Sequence, residues 1–219
     1  MASSAIELLV VSLPQLAKGA GQTLAISALG IVFATLGGVL YGVLATLGKR
    51  AVNIALQVYL ELFRAIPVLV WLYLVFFGLP IFFSLSIPSF WCAVLVLGLW
   101  GASEVGEVVR GALASLPRGQ REAGLSIGLS GLQLYGHVLL PQALKRMTPP
   151  TINIYTRIVK TSSLAVLIGV VDVIKAGQQI IERTYESVLI YGVLFLFFFF
   201  ICYPLSAASR ALERRWAHS

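Results

Sequence analysis

Six charged residues interrupt otherwise apolar stretches of this sequence: Glu61, Arg64, Glu104, Glu107, Arg157 and Lys160. A charge in apolar surroundings is costly and persists where it is paired or where it recognises something. Glu61 and Arg64 stand three apart, so on a helix they share a face and can pair. Glu104, Glu107 and Arg110 make a similar stripe. These residues suit either an ion-pair cluster locking two helices or a gate that opens by exchanging partners. Arg157 and Lys160 also share a face but have no acid nearby in sequence. Their partners must come from elsewhere: Glu61, Glu107, or the carboxylate of a passing solute, with hydroxyls of Thr161, Ser162 and Ser163 hydrating the same path. This chemistry is charge recognition rather than bond making. No Ser/His, paired-Asp or His-Glu-x-x-His arrangement occurs. Gly42 to Lys49 has the wrong spacing for a phosphate loop and no hydroxyl after Lys49. His137 and His218 lack metal-ligand spacing. Cys92 and Cys202 lie in apolar runs as small hydrophobes. No catalytic residue and no metal site is expected.

The elements that position these charges follow from composition. Of 219 residues, 58% are hydrophobic and 11% charged, against about 25% charged in a soluble domain. Gly19 to Gly48 carries no charge over 30 positions, about 45 Å of helix and one tilted crossing. Ala65 to Ser103 is uncharged for 39 residues, about 58 Å, and breakers at Gly78, Pro80, Ser84, Ser86 and Pro88 divide it into two spans. The expected architecture is all-α and integral to a membrane. It has five transmembrane helices at approximately 20–47, 52–82, 88–110, 150–171 and 187–209, within one domain covering 1–219. Met1 to Ala17, with Glu7, Pro14 and no basic start, does not read as a cleavable signal. Trp71, Tyr73, Trp91 and Trp100 read as packing or interface anchors, and the run Phe197 to Phe200 as lipid-facing.

Charge orients the bundle. Segments following the odd-numbered spans hold ten basic residues and two acidic ones, Glu122 and Glu213. The basic set is Lys49, Arg50, Arg110, Arg118, Arg121, Lys145, Arg146, Arg210, Arg214 and Arg215. The opposite segments hold three basic residues and four acidic ones. Basic loops mark the cytoplasmic side, which places the N-terminus outside and the C-terminus inside. The net charge of +7 is thereby a topology signal, and a nucleic-acid partner is not expected.

The longest cytoplasmic segment, 111–149, is the most informative. Pro117 and Gly119 end the third span, and Gln120 to Leu129 can form a short helix with Glu122 near its positive end. Ala123, Gly124 and Gly128 leave room for another backbone or ring to approach. Ser130-Gly131 breaks the chain, a second short helix runs to Leu140, Pro141 interrupts it, and Pro149-Pro150 opens the fourth span. Such a loop is suited to a groove in another protein, or to the membrane surface.

Glu122-Ala123-Gly124, three residues, Gly128, nine residues and Val138-Leu139-Leu140-Pro141 resemble the coupling-loop signature of ATP-binding-cassette importer permeases. Gly124 replaces an alanine and Val138 an isoleucine. Phe63-Arg-Ala-Ile-Pro67, Glu107-Val-Val-Arg-Gly111 with Gly119-Gln120, and Lys160-Thr-Ser-Ser-Leu164 are similar to elements of the polar-amino-acid branch. Thr161 departs from that pattern, standing where the branch often has aspartate. The resemblance implies a permease subunit in a bacterial inner membrane, with a coupling helix between spans three and four. Its implied partners are a second permease chain, identical or related, two cytoplasmic ATPase subunits, an extracytoplasmic solute-binding protein, an amino acid substrate and membrane lipid. ATP and Mg would sit on the ATPases, with no cofactor in this chain. Alternatives are a secondary transporter or channel, or a permease for opines or compatible solutes.

Overall fold

The computed structural model describes residues 2–46 and 50–216; Gly48, Lys49 and His218 lie outside them. Helices account for the architecture, and no strand occurs among the described residues. Three helices are long and apolar enough to cross a membrane, or up to five if each of two bent pairs is one span.

The first helix, α1, covers Ala2–Thr46, about 67 Å at 1.5 Å per residue. It starts well before the expected span and contains Pro14. The missing proline N–H costs one backbone bond, and packing holds the segment instead. Leu16 is buried with Val173, Ala176 and Ile180, and Gln15 Nε2 donates to Gln179 Oε1 at 2.9 Å.

Small residues weld α1 to α5, Ser89–Ala114. Gly30, Ala34, Gly38 and Gly42 recur every fourth position on one face of α1, opposite Gly98, Gly101 and Gly106. A Cβ on Gly38 would stand 2.6 Å from Val105 Cβ, and one on Gly101 2.6 Å from Ala34 Cβ. In lipid, where apolar burial between helices gains little, such close backbone approach supplies the packing. With most of its middle turns buried, α5 is the central element. The main core joins Ile26 and Ala34 of α1 with Ala93, Val96 and Leu97 of α5 and Ile158 from further along the chain. Cys92 is buried there, its thiol directed at the Leu72 carbonyl.

The continuous helix expected over 52–82 is broken. α2, Arg50–Ala65, and the following leg, Val68–Phe83, meet at 103°. Pro67 causes this: it disfavours helix at Ile66 and cannot donate backward, and it caps α3, Val68–Tyr73, from an extended conformation. A π turn, Leu74–Gly78, leads into α4, Leu79–Phe83, which ends on left-handed Ser84.

After α5 come α6, Arg118–Ser126, and α7, Gly131–Leu134. A π turn at Tyr135–Leu139 then runs directly into α8, Leu140–Thr161. Pro141 does not interrupt the chain as expected, and Pro149-Pro150 lies inside α8 instead of opening it. Pro141 stands in the first turn of α8, just after the π turn, where a missing N–H is tolerated. Near Pro149-Pro150, Thr148 and Thr151 hydroxyls donate back to the Leu144 and Met147 carbonyls, and Ser209 donates to the Pro149 carbonyl at 2.9 Å. A 3-10 stretch, Ser162–Ile168, turns at Gly169. α9, Val173–Thr184, follows with Asp172 as its N-cap, and α10, Ser187–Trp216, closes the chain. Of the phenylalanine run, Phe197 and Phe198 pack on the second core, while Phe199 and Phe200 are exposed.

Candidate functional site

Two groups of side chains stand out, one on the loop beyond α5 and one along the charged helix faces. Pro117 starts α6 from an extended conformation. The helix stops in a Schellman arrangement, with Gly128 at φ 83° and its neighbours' N–H groups bonding back: Gly128 to the Leu125 carbonyl at 3.0 Å and Leu129 to that of Gly124 at 3.1 Å. Glycine is needed at 128 because a side chain is strained there.

Gly119, Gln120, Glu122 and Ala123 are exposed. Gly124 is not; it is buried, and a Cβ there would come within 2.4 Å of Leu134 Cδ1. The small-residue face expected to point outward thus splits. Gly124 seats the loop on itself, while Glu122, Ala123, Leu125 and Ile127 form the outward surface. Ile127 is 79% exposed, unusual for a large apolar side chain on a polar loop. Val138 is half-buried, and Leu140 and Pro141 are exposed. Arg146 fastens this region to the end of α5, donating to the Ser115 carbonyl at 2.5 Å and its hydroxyl at 2.8 Å. Gln142 Nε2 donates to Gln120 Oε1 at 3.3 Å.

The charged residues pair both within α5 and across to α2 and α8, partly as expected. The α5 stripe divides. Glu104 Oε2 accepts from Arg157 of α8 at 3.0 Å, and that guanidinium lies over the Trp100 ring at 5.1 Å. Arg157 therefore takes neither Glu61 nor Glu107. Glu107 accepts twice from Arg110, at 2.6 and 3.1 Å, and its Oε2 stands 3.7 Å from Arg64 of α2. The Glu61–Arg64 pair suggested by spacing is absent, and Glu61 has no ion pair among the described residues. Proximity along one helix loses here to a carboxylate already fixed on the neighbouring helix.

Lys160 is exposed and has no ion pair among the described residues. It lines a groove of about 630 Å³ between α8, α9 and α10, with Tyr191, Phe195, Tyr203 and Arg210. The three hydroxyls beside it do separate work. Ser162 is buried and bonds to Ser27 of α1 at 3.1 Å, tying the 3-10 stretch to the core. Ser163 bonds back to the Lys160 carbonyl, and Thr161 is half-buried. Sequence reasoning missed Tyr41, Asn53 and Gln57, which line a second pocket with Glu61, Arg64, Glu107 and Arg110. Asn53, Gln57, Glu61 and Arg64, at spacings of four, four and three, form a polar stripe that was readable in the sequence.

Several known proteins are similar to this chain. The chain is 36% identical over 205 residues to the glutamine transport system permease protein GlnP of Escherichia coli K12, covering 93% of this chain and 94% of that one. It is 30% identical over 210 residues to the arginine transport system permease protein ArtQ of Bacillus subtilis, with 93% of each covered. Among solved structures, an amino acid ABC transporter crystallised with histidines superposes with a TM-score of 0.85 at 26% identity, covering 94% of this chain and 96% of that one. The inward-facing MetNI methionine ABC transporter has the same fold, with a TM-score of 0.74 at 23% identity and coverage of 93% and 96%. A family description, binding-protein-dependent transport system inner membrane component, matches residues 30–218. The chain belongs to this family: it is an inner membrane component of a binding-protein-dependent transport system.

Proposed function

We propose that this chain is the permease subunit of an ATP-driven importer for polar amino acids, forming the translocation path with a second permease chain, identical or related. An extracytoplasmic binding protein delivers the amino acid. Two cytoplasmic ATPase subunits, which carry ATP and Mg, each grip one coupling loop. The whole chain acts as one permease domain with the N-terminus outside and the C-terminus inside. The carrying observation is α6 itself. Gln142 of α8 donates to Gln120 of α6, and Arg146 of the same helix donates to Ser115 at the end of α5, yet Glu122, Ala123, Leu125 and Ile127 are exposed among the described residues. A rigid lever with an uncovered apolar and acidic tip is what a moving partner needs to grip. Lys160, exposed and without an ion pair among the described residues, supplies positive charge to the path for a substrate carboxylate, while Arg157, paired with Glu104 of α5, borders it. Relatives named for glutamine and arginine transport support the amino acid class.

The test is uptake by vesicles holding this chain, its ATPase and its binding protein. Labelled glutamine, glutamate, histidine and arginine are offered in turn. Accumulation that needs both internal ATP and the binding protein supports the reading. Uptake driven by an ion gradient without ATP would replace it with a secondary transporter.

A further inference from the structure

A further pocket, of about 220 Å³, opens where α5 ends and the chain turns into α6. Its floor is apolar, made by Leu113 and Leu116 at the α5 end and by Leu139 of the π turn before α8. Arg118 and Arg121 of α6 and Tyr135, all exposed, form its rim. No residue of α9 or α10 lines it, so it is separate from the Lys160 groove.

The two arginines stand three apart, so they leave the same face of α6 with Cβ atoms about 5–6 Å from each other. Neither makes an ion pair among the described residues, whereas Arg146 nearby is committed to Ser115. No acidic residue among those described lines the pocket, so two full positive charges border an apolar floor without compensation. Ala123 and Ile127, on the surface proposed for the ATPase, lie about 120–180° round α6 from these arginines at 3.6 residues per turn. The arginine face and that surface can therefore be occupied together.

We infer that this pocket binds the phosphate of an anionic phospholipid and so seats α6 against the membrane surface. Phosphate oxygens accept from both guanidinium groups, the Tyr135 hydroxyl adds a donor, and the apolar part of the lipid meets Leu113, Leu116 and Leu139. Charge and place argue for this occupant. Two cations with no acid require an anion, and a leucine floor requires an amphiphile. The pocket also lies at the end of an apolar helix long enough to cross a membrane, at the level where basic pockets take lipid headgroups. A zwitterionic lipid would bring its ammonium to a pocket with no acid to receive it. The lipid site stands whether or not the chain imports amino acids. Only its consequence, a coupling helix held between bilayer and ATPase, rests on the proposed importer.

Native mass spectrometry of the tagged full chain, released from detergent with whatever partners it retains, reads the site without needing transport. The sample is incubated with dioleoylphosphatidylglycerol or dioleoylphosphatidylcholine. One phosphatidylglycerol per chain is expected to survive about tenfold more often than phosphatidylcholine, within the preference that two basic residues give an anionic lipid. Arg118→Gln combined with Arg121→Gln is expected to lose it. Ala114→Trp fills the pocket while keeping both arginines, and is expected to lose most of it. Arg214→Gln combined with Arg215→Gln, in the last turn of α10, is expected to keep it. All five side chains are exposed, so each variant should elute from gel filtration as the parent does. Equal retention of the two lipids, undiminished retention in either pocket variant, or equal loss in the Arg214 and Arg215 pair would overturn the inference. Displacement by millimolar inorganic phosphate would overturn it too, by making the ligand a free anion. So would an adduct missing from chains that carry an ATPase, which would assign the pocket to that subunit.

Discussion

At the residue scale, the charged positions were legible as a set but their pairings were not. Spacing showed that Glu61 could reach Arg64 and that Glu104, Glu107 and Arg110 share a face, because both follow from helix geometry. It could not show that α5 would be shared between α8 and α2, since that depends on how helices far apart in sequence cross. The divided stripe makes a graded prediction. Arg110 holds both oxygens of Glu107, whereas Arg64 stands 3.7 Å away. Arg110→Ala should therefore destabilise the chain more than Arg64→Ala, by about 1–2 kcal/mol, between the values for exposed and buried pairs. Thermal unfolding of the two variants in detergent reads the difference, and equal or reversed losses would contradict it. Lys160 has no such partner. Lys160→Met should slow uptake about tenfold, the cost of losing one charge-assisted contact, with ATPase recovery on purification unchanged. Parent-like uptake kinetics would remove it from the path.

At the element scale, α5 and the start of α10 fell close to where hydropathy put them, while α2–α4 and α8 did not. A window of apolar residues measures length and says nothing of bends. The 103° turn at Pro67 lies within a stretch whose composition suits one span. Conversely, Pro141 read as a break and Pro149-Pro150 as a helix start, but all three sit in α8, which follows directly on a π turn and where hydroxyls of Thr148, Thr151 and Ser209 bond to backbone carbonyls. The small-residue weld was present in the sequence as Gly30, Ala34, Gly38 and Gly42, and its partner became identifiable only once α5 lay against it. Gly38→Leu should be among the most damaging substitutions. Its side chain would meet Val105 and the backbone of Gly106, an overpacking cost of about 3 kcal/mol or more. Gly21→Leu, where a Cβ meets nothing within 4 Å, should be tolerated. The yield of folded protein from membranes compares them, and equal yields would show that α1 and α5 are not packed this way.

At the scale of the whole molecule, the chain reads as a lever attached to a path. The proposed lever is α6, bonded through Gln120 to Gln142 of α8, the helix whose Arg146 holds Ser115 at the end of α5. In the proposed reading, the path is bordered by the charges that α5 and α8 share and by Lys160. The signature over residues 122–141 points to the lever through its resemblance to the coupling loop of importer permeases; residue types alone suit a groove in another protein or the membrane surface equally. The inward burial of Gly124 was not legible, since it depends on Leu134 folding back. The central claim is that α6 is where an ATPase grips this chain. The most direct test is to purify the tagged chain from its native membrane in mild detergent, alongside Glu122→Arg. Glu122 is exposed and makes no ion pair among the described residues, so its replacement should leave the fold unaltered and reverse the charge offered to the partner. An ATPase subunit recovered with the parent and lost with Glu122→Arg is the predicted result. Equal recovery with both, or none with the parent, would contradict the account.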